Sequence, residues 1–237
     1  MKKKLKTLYI ITVALTIGTI LLAINPINRR STNLLFIGAI LALYTCFIVL
    51  SWKNKILRLI LFILPVILLS LLTINGPEID KEVIRSEYVK ALIKYEGTKY
   101  VWGGETSLGI DCSGLVRRGL IDTYIRLGFL NISPQYIRKG IYLWYNDLSA
   151  EAIGNEYANR TVKVFSNQVL NDLDYEKIKE GDIMVTENGV HAMAYIGNRE
   201  WIQADPSEQK VIIEKAPDDN NTWYKVPSKI LRWKDLY

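Results

Sequence analysis

Three uncharged apolar runs open the chain: Leu8 to Ile24, Leu34 to Leu50, and Leu59 to Ile74, the last extendable back to Ile56 past Arg58. At about 1.5 Å of helix per residue each run covers roughly 24 to 28 Å, close to the ~30 Å hydrocarbon core of a bilayer. The pattern predicts three transmembrane helices, over about 8–24, 34–50 and 56–74. The first run, behind Met1-Lys2-Lys3-Lys4, also fits a cleaved signal peptide with small-residue character near Leu22-Ala23, but two further spans favour retention. After the linker Asn75-Gly76-Pro77 the period changes. Val83, Ile84, Tyr88, Ala91, Leu92 and Tyr95 recur at helical spacing until Gly97. A Gly-rich loop runs from Tyr100 to Gly109, and a second helix is predicted from Cys112 to about Leu127, with Gly128 as its stop. Residues 129–170 are rich in Tyr, Trp and Asn, weakly periodic, and read as a packed helical insertion. Strands are predicted at Asp182 to Thr186, Val190 to Ile196, Trp201 to Asp205 and Lys210 to Glu214. Helices followed by antiparallel strands predict an α+β domain over residues 78–237, behind a membrane anchor over residues 1–77.

Charge changes the reading of partners. All 24 acidic residues lie from Glu78 onward, whereas the first 77 residues hold nine Lys and Arg. The net charge of +6 therefore belongs to the anchor, and a nucleic-acid partner loses its main support. Lys2, Lys3, Lys4, Lys6, Lys53, Lys55 and Arg58 fall on one side of the predicted spans and only Arg29 and Arg30 on the other. The positive-inside bias then puts residues 78–237 outside the cytoplasm. Trp52 and a snorkelling Arg58 suit the inner interface, and Pro65 is a potential kink in the third span. No ionisable cluster inside the spans marks a transport path, so they read as an anchor in the lipid bilayer. Cys46 falls in the second span and Cys112 in the outer domain, so the two cannot pair. An unpaired exported thiol calls for a functional explanation.

Cys112 opens a helix, where partial positive charge and free N–H groups favour a low-pKa thiolate. His191, the one histidine in the chain, falls on a later strand and is a candidate general base. A three-residue turn at Gly197-Asn198-Arg199 pairs Ile196 with Glu200. It sets Gln203 opposite Met193 and Asp205 opposite His191, all on one face. Either Gln203 or Asp205 can then orient the imidazole, although Pro206 ends the strand and lets Asp205 splay away. Against this stands the plainer reading of a buried Cys and a satisfied core His.

Tyr100-Val101-Trp102-Gly103-Gly104, then Asp111-Cys112-Ser113-Gly114-Leu115-Val116, Gly181-Asp182, Val190-His191, Tyr195-Ile196-Gly197-Asn198 and Trp201-Ile202-Gln203-Ala204 together resemble the NlpC/P60 family of papain-like cysteine peptidases. The resemblance covers roughly residues 80–215. It implies Cys112 as nucleophile, His191 as base and Gln203 at the third, polar position. Tyr100, Asp111 and Ser113 would belong to the pocket for the peptide's free amino end, and Trp102 is a further substrate-binding candidate. The implied substrate is the stem peptide of bacterial peptidoglycan, cleaved between D-glutamate and the following diamino acid, by an enzyme in the bacterial cell (inner) membrane. Two departures are visible: Gln203 stands where the family most often has His, and the Cys112 to His191 spacing is long. A thiol amidase or acyltransferase on another substrate, an inactive wall-binding module, or a secreted toxin hydrolase remain as alternatives.

The insertion carries Tyr136, Tyr142, Trp144, Tyr145 and Tyr157, expected to be mostly core, with one or two walling the cleft. Neither zinc-ligand spacing nor a phosphate loop is present, so no metal or cofactor is expected. Protein partners are not legible.

Overall fold

The computed structural model describes residues 2–236. Met1 and Tyr237, the ends of the two expected domains, and the side chains of Lys2 to Lys4, counted in the charge argument, lie outside the described residues. The three apolar runs form helices α1 (Lys2–Ala23), α2 (Arg30–Leu50) and α3 (Lys55–Thr73), each long and apolar enough to cross a membrane. Most of their Leu, Ile, Val and Phe side chains are exposed, which leaves a broad apolar surface uncovered by the rest of the chain. The α3 helix continues through Pro65. Arg58 lies over the Trp52 ring, 4.8 Å from its centroid, and donates to Trp52 O at 3.0 Å.

Beyond them, α4 (Lys81–Ile93), α5 (Cys112–Leu130), α6 (Pro134–Tyr145) and α7 (Ala150–Gly154) accompany two sheets. The small sheet pairs β1 (Glu105–Thr106) with β2 (Gly109–Ile110). The large one holds β3 (Thr161–Gln168), β4 (Ile183–Thr186), β5 (Ala192–Gly197), β6 (Glu200–Asp205), β7 (Lys210–Lys215) and β8 (Ser228–Trp233). Its order is β3-β8-β4-β5-β6-β7, antiparallel throughout. Both faces are buried along the central strands β4, β5 and β6, which explains their near-continuous apolar runs. Ile183, Val185, Ala192, Ala194, Ile202 and Ala204 join the cluster with α4 and α5; Met184, Met193, Tyr195, Trp201 and Ile230 form a second cluster behind.

Several expectations are corrected. The α5 helix runs through Gly128 to Leu130, because Gly128 is a contact site: a Cβ there would sit 2.6 Å from Ile137 of α6. Residues 129–170 are not wholly helical, since they end in β3, an edge strand with two register shifts against β8. Tyr136 is buried and Trp144 packs beside the core, but Tyr142 and Tyr157 are exposed. His191 precedes β5 and is not part of it. At the β5–β6 turn, Gly197 and not Ile196 pairs with Glu200, leaving a two-residue turn of Asn198 and Arg199 at φ 52° and 64°. Both central residues being left-handed is the geometry that a tight hairpin requires. The register away from the turn is the expected one, Ala194 with Ile202 and Tyr195 with Trp201, which sets Gln203 opposite Met193.

Strand β8 carries one feature that a hydrophobic pattern cannot announce. Arg232 forks onto Asp182, at 2.6 and 2.7 Å, and the Asp182 side chain is fully buried. Removing one partner of a buried pair strands the other charge, at a cost of ~3–5 kcal/mol. Arg232→Met should lower the stability of the full chain by that amount, measured by denaturant unfolding in detergent; a loss below ~1 kcal/mol would show that the pair is dispensable.

Candidate active site

The start of α5 is built by Asp111. Its Oδ1 accepts from Gly114 N at 2.6 Å and from Ser113 Oγ at 3.0 Å, and its Oδ2 accepts from Gly103 N at 2.8 Å. One carboxylate thus caps the helix and ties it to the Gly-rich loop. Gly114 makes the approach possible, for a Cβ there would lie 2.1 Å from Gly104 O. Cys112 is the first residue of the helix and is buried, with Sγ 4.0 Å from Val190 O.

The expected low thiol pKa is not found. Burial, and then the Asp111 carboxylate, push the Cys112 thiol up to about 12, while the N–H groups of Ala192, Ser113 and Cys112 itself pull it down. Burial of the thiol is the larger reason, and the second is that the helix end which should stabilise a thiolate already faces the capping carboxylate. The His191 imidazole moves the other way. Burial lowers it to about 4, against the opposing pull of Gln203 and the Asp205 charge. At neutral pH Cys112 is therefore a thiol and His191 a neutral imidazole.

His191 is held on three sides. Its backbone N–H donates to Thr186 Oγ1 at 3.1 Å, its Nε2 lies 2.7 Å from Gln203 Oε1, and Trp223 stacks on the ring at 4.2 Å between centroids. The Gln203 amide is oriented in turn, because its Nε2 donates to Glu214 Oε2 at 2.8 Å and Asn221 donates to the same oxygen at 2.5 Å. With the amide N–H turned to a carboxylate, the amide oxygen is left to accept from the imidazole. Asp205 is used elsewhere. Its Oδ1 accepts from Ser207 N and Glu208 N, at 2.6 and 3.2 Å, and its Oδ2 from Trp223 Nε1 at 3.2 Å.

A cleft of about 370 Å³ opens over Cys112, and Tyr100, Trp102, Asp111 and Ser113 line it. Burial pushes the Tyr100 phenol up to about 12, so it is a neutral donor and acceptor. None of the five insertion aromatics is among the lining residues. A profile of the NlpC/P60 family matches residues 97–232.

The chain belongs to the NlpC/P60 family. It is similar to Dipeptidyl-peptidase 6 of Lysinibacillus sphaericus, 20% identical over 146 residues, which are 62% of this chain and 41% of that protein. The chain thus spans about two fifths of the length of this curated relative. Among solved structures it is similar to NlpC2 from Trichomonas vaginalis, at 20% identity and a TM-score of 0.42, covering 66% of this chain and 49% of that one. The peptidoglycan hydrolase RipB from Mycobacterium tuberculosis is 17% identical, at a TM-score of 0.39, covering 65% of this chain and 66% of that one. Within this NlpC/P60 domain, sequence reasoning missed Trp223, Glu214 and Asn221. Glu214 shares the period-two parity that places its partner on one face of the sheet, a usable signal; Trp223 comes from a short 3-10 turn with none.

Proposed function

We propose that the protein is a membrane-anchored cysteine endopeptidase that hydrolyses peptidoglycan stem peptides, at the bond between D-glutamate and the following diamino acid. The observation that carries this reading is a cleft-lining cysteine at a helix start, its Sγ 4.0 Å from the carbonyl of Val190, and next to Val190 in the chain a neutral imidazole whose Nε2 is bonded to an oriented amide. In this reading Cys112 Sγ attacks the scissile carbonyl as its proton passes to His191. The imidazolium then protonates the leaving amine, and water, deprotonated by the same ring, releases the acid from the thioester. Gln203 holds the ring in the tautomer that can accept the thiol proton. Tyr100, Trp102, Asp111 and Ser113 bind the peptide, and a second acceptor site on Asp111 takes its ammonium.

The family match and the three apolar helices support action at the outer surface of a cell membrane. The lipid bilayer is then the partner of residues 1–77, and residues 78–237 form the catalytic domain outside. Defined stem peptides incubated with the detergent-solubilised full chain should be cut at that bond, read by mass spectrometry. Failure to cut any stem peptide, with Cys112 unreactive towards a thiol-directed electrophile, would leave only a wall-binding role. Topology is tested separately. Protease added to intact spheroplasts should digest the C-terminal domain, and complete protection until lysis would reverse the orientation.

A further inference from the structure

The six residues between α1 and α2 do more than turn the chain between two apolar helices. Asn28 N donates to Gly103 O at 2.9 Å, Glu105 N donates to Pro26 O at 2.9 Å, and Ile27 bridges Gly104. The connector is thus a short antiparallel addition to the loop that shapes the cleft. Its side chains lock the contact. The buried Asn28 amide donates to Glu105 and, at 3.3 Å, to Trp144 O, while its Oδ1 accepts from the buried Asn33 amide at 2.6 Å. Glu105 is itself buried, 3.1 Å from Arg117 of α5. Unmaking this contact would leave a buried carboxyl and a buried amide short of partners, which opposes undocking of the connector.

The docked connector brings Asn28 and Arg29 into the lining of the cleft that holds Cys112. The two arginines of that lining differ in what they face. Arg117 is engaged by Asp147 at 2.8 Å and by Glu105, whereas Arg29 is exposed and pairs with no carboxylate among the described residues. Arg29 also stands over the Gly-rich loop: a Cβ on Gly103 would lie 3.9 Å from its Nε. Gly103 is the residue whose N–H holds Asp111, the cap of the nucleophile's helix. A guanidinium in this place is a ready fork for a planar anion.

We propose that the connector between the first two apolar helices is one wall of the cleft, and that Arg29 is a specificity-determining residue that binds a carboxylate of the peptide substrate. The proposal rests on the peptidase reading and narrows it to peptides carrying a free carboxylate beside the scissile bond. It also makes the hairpin part of the enzyme, so that anchoring and recognition share one structure.

The test uses the full chain in detergent and two stem peptides that differ only in the α-carboxyl group of D-glutamate, free in one and amidated in the other. Wild type should prefer the free acid. Arg29→Gln should raise KM for the free acid about 10- to 100-fold, the range for loss of a charge-assisted hydrogen bond, and abolish the preference. Arg29→Lys should recover part of it. Arg30→Gln, one residue on and beside the Tyr145 ring, should keep it. An unchanged preference in Arg29→Gln, or an equal loss on both peptides, overturns the proposal. If wild type cuts neither peptide, the peptidase reading fails, and the same substitutions made in a Cys112→Ser chain are titrated with both peptides. Binding that favours the free acid only while Arg29 is present still supports the carboxylate site, and binding indifferent to Arg29 overturns it.

Discussion

Cys112→Ser should reduce stem-peptide hydrolysis by a factor on the order of 10⁴ to 10⁶, the scale on which removing a covalent nucleophile acts, while leaving the fold intact. The substitution keeps the size of a buried side chain that helps to close the core, so a matched unfolding curve separates chemistry from stability. An activity within tenfold of wild type would eliminate Cys112 as nucleophile. The pH profile tests the same residue differently. With the thiol pushed up to about 12 and the imidazole down to about 4, a protonated Cys112 and a neutral His191 persist together across the whole neutral range. Falling pH should reduce kcat/KM only as it passes through about 4, where His191 takes up a proton and can no longer accept one; an ordinary histidine would give that limb near ~6.5. Labelling by iodoacetamide should rise with pH through 7 to 10 without a plateau, since thiolate is still increasing there. A labelling plateau below pH 7 would instead indicate a preformed thiolate.

That reversal of the thiol's expected pKa shows where sequence reasoning reaches its limit. A helix start at Cys112 is legible from Asp111 and the apolar periodicity that follows. Whether its positive end is available depends on where the Asp111 oxygens point, and they point inward at Gly103 and Gly114. The same holds for the fold. Strands β4 to β7 announce themselves by β-branched and apolar runs, and the register of β5 on β6 follows from the turn to within one bulged residue. Strand β8 is disguised by Lys229 and Arg232, because the compensating charge, Asp182, is 50 residues away. Strand β3 is short of apolar residues and lies at the sheet edge, where less of it is buried. The connector's docking on Gly103 to Glu105 is likewise invisible in a local pattern, since Asn28 and Glu105 are 77 residues apart.

Gln203→Ala should lower kcat by roughly 10- to 10³-fold with little change in KM, because the residue holds a ring and does not contact the peptide. The effect should fall short of the ~10⁴-fold loss on replacing a triad aspartate, as an amide brings no charge to stabilise the imidazolium. Asp205 was the rival, and its carboxylate is turned towards the β6–β7 turn and Trp223. Asp205→Ala should therefore act only through looser stacking of Trp223 on His191, a loss of no more than about tenfold; a loss larger than that of Gln203→Ala would reassign the role. Glu214 supplies the sharper discriminator. Without its carboxylate the Gln203 amide is free to turn over and present N–H to the ring, which then must carry its proton on Nδ1. That tautomer directs a donor and not an acceptor away from Gln203, and so cannot take the thiol proton. Glu214→Leu should thus approach the Gln203→Ala loss although Glu214 does not touch the imidazole, and ¹⁵N shifts of His191 should report the exchange of protonated nitrogens. If the shifts stay those of an Nε2–H ring while activity falls, the loss is structural and the amide is not what selects the tautomer.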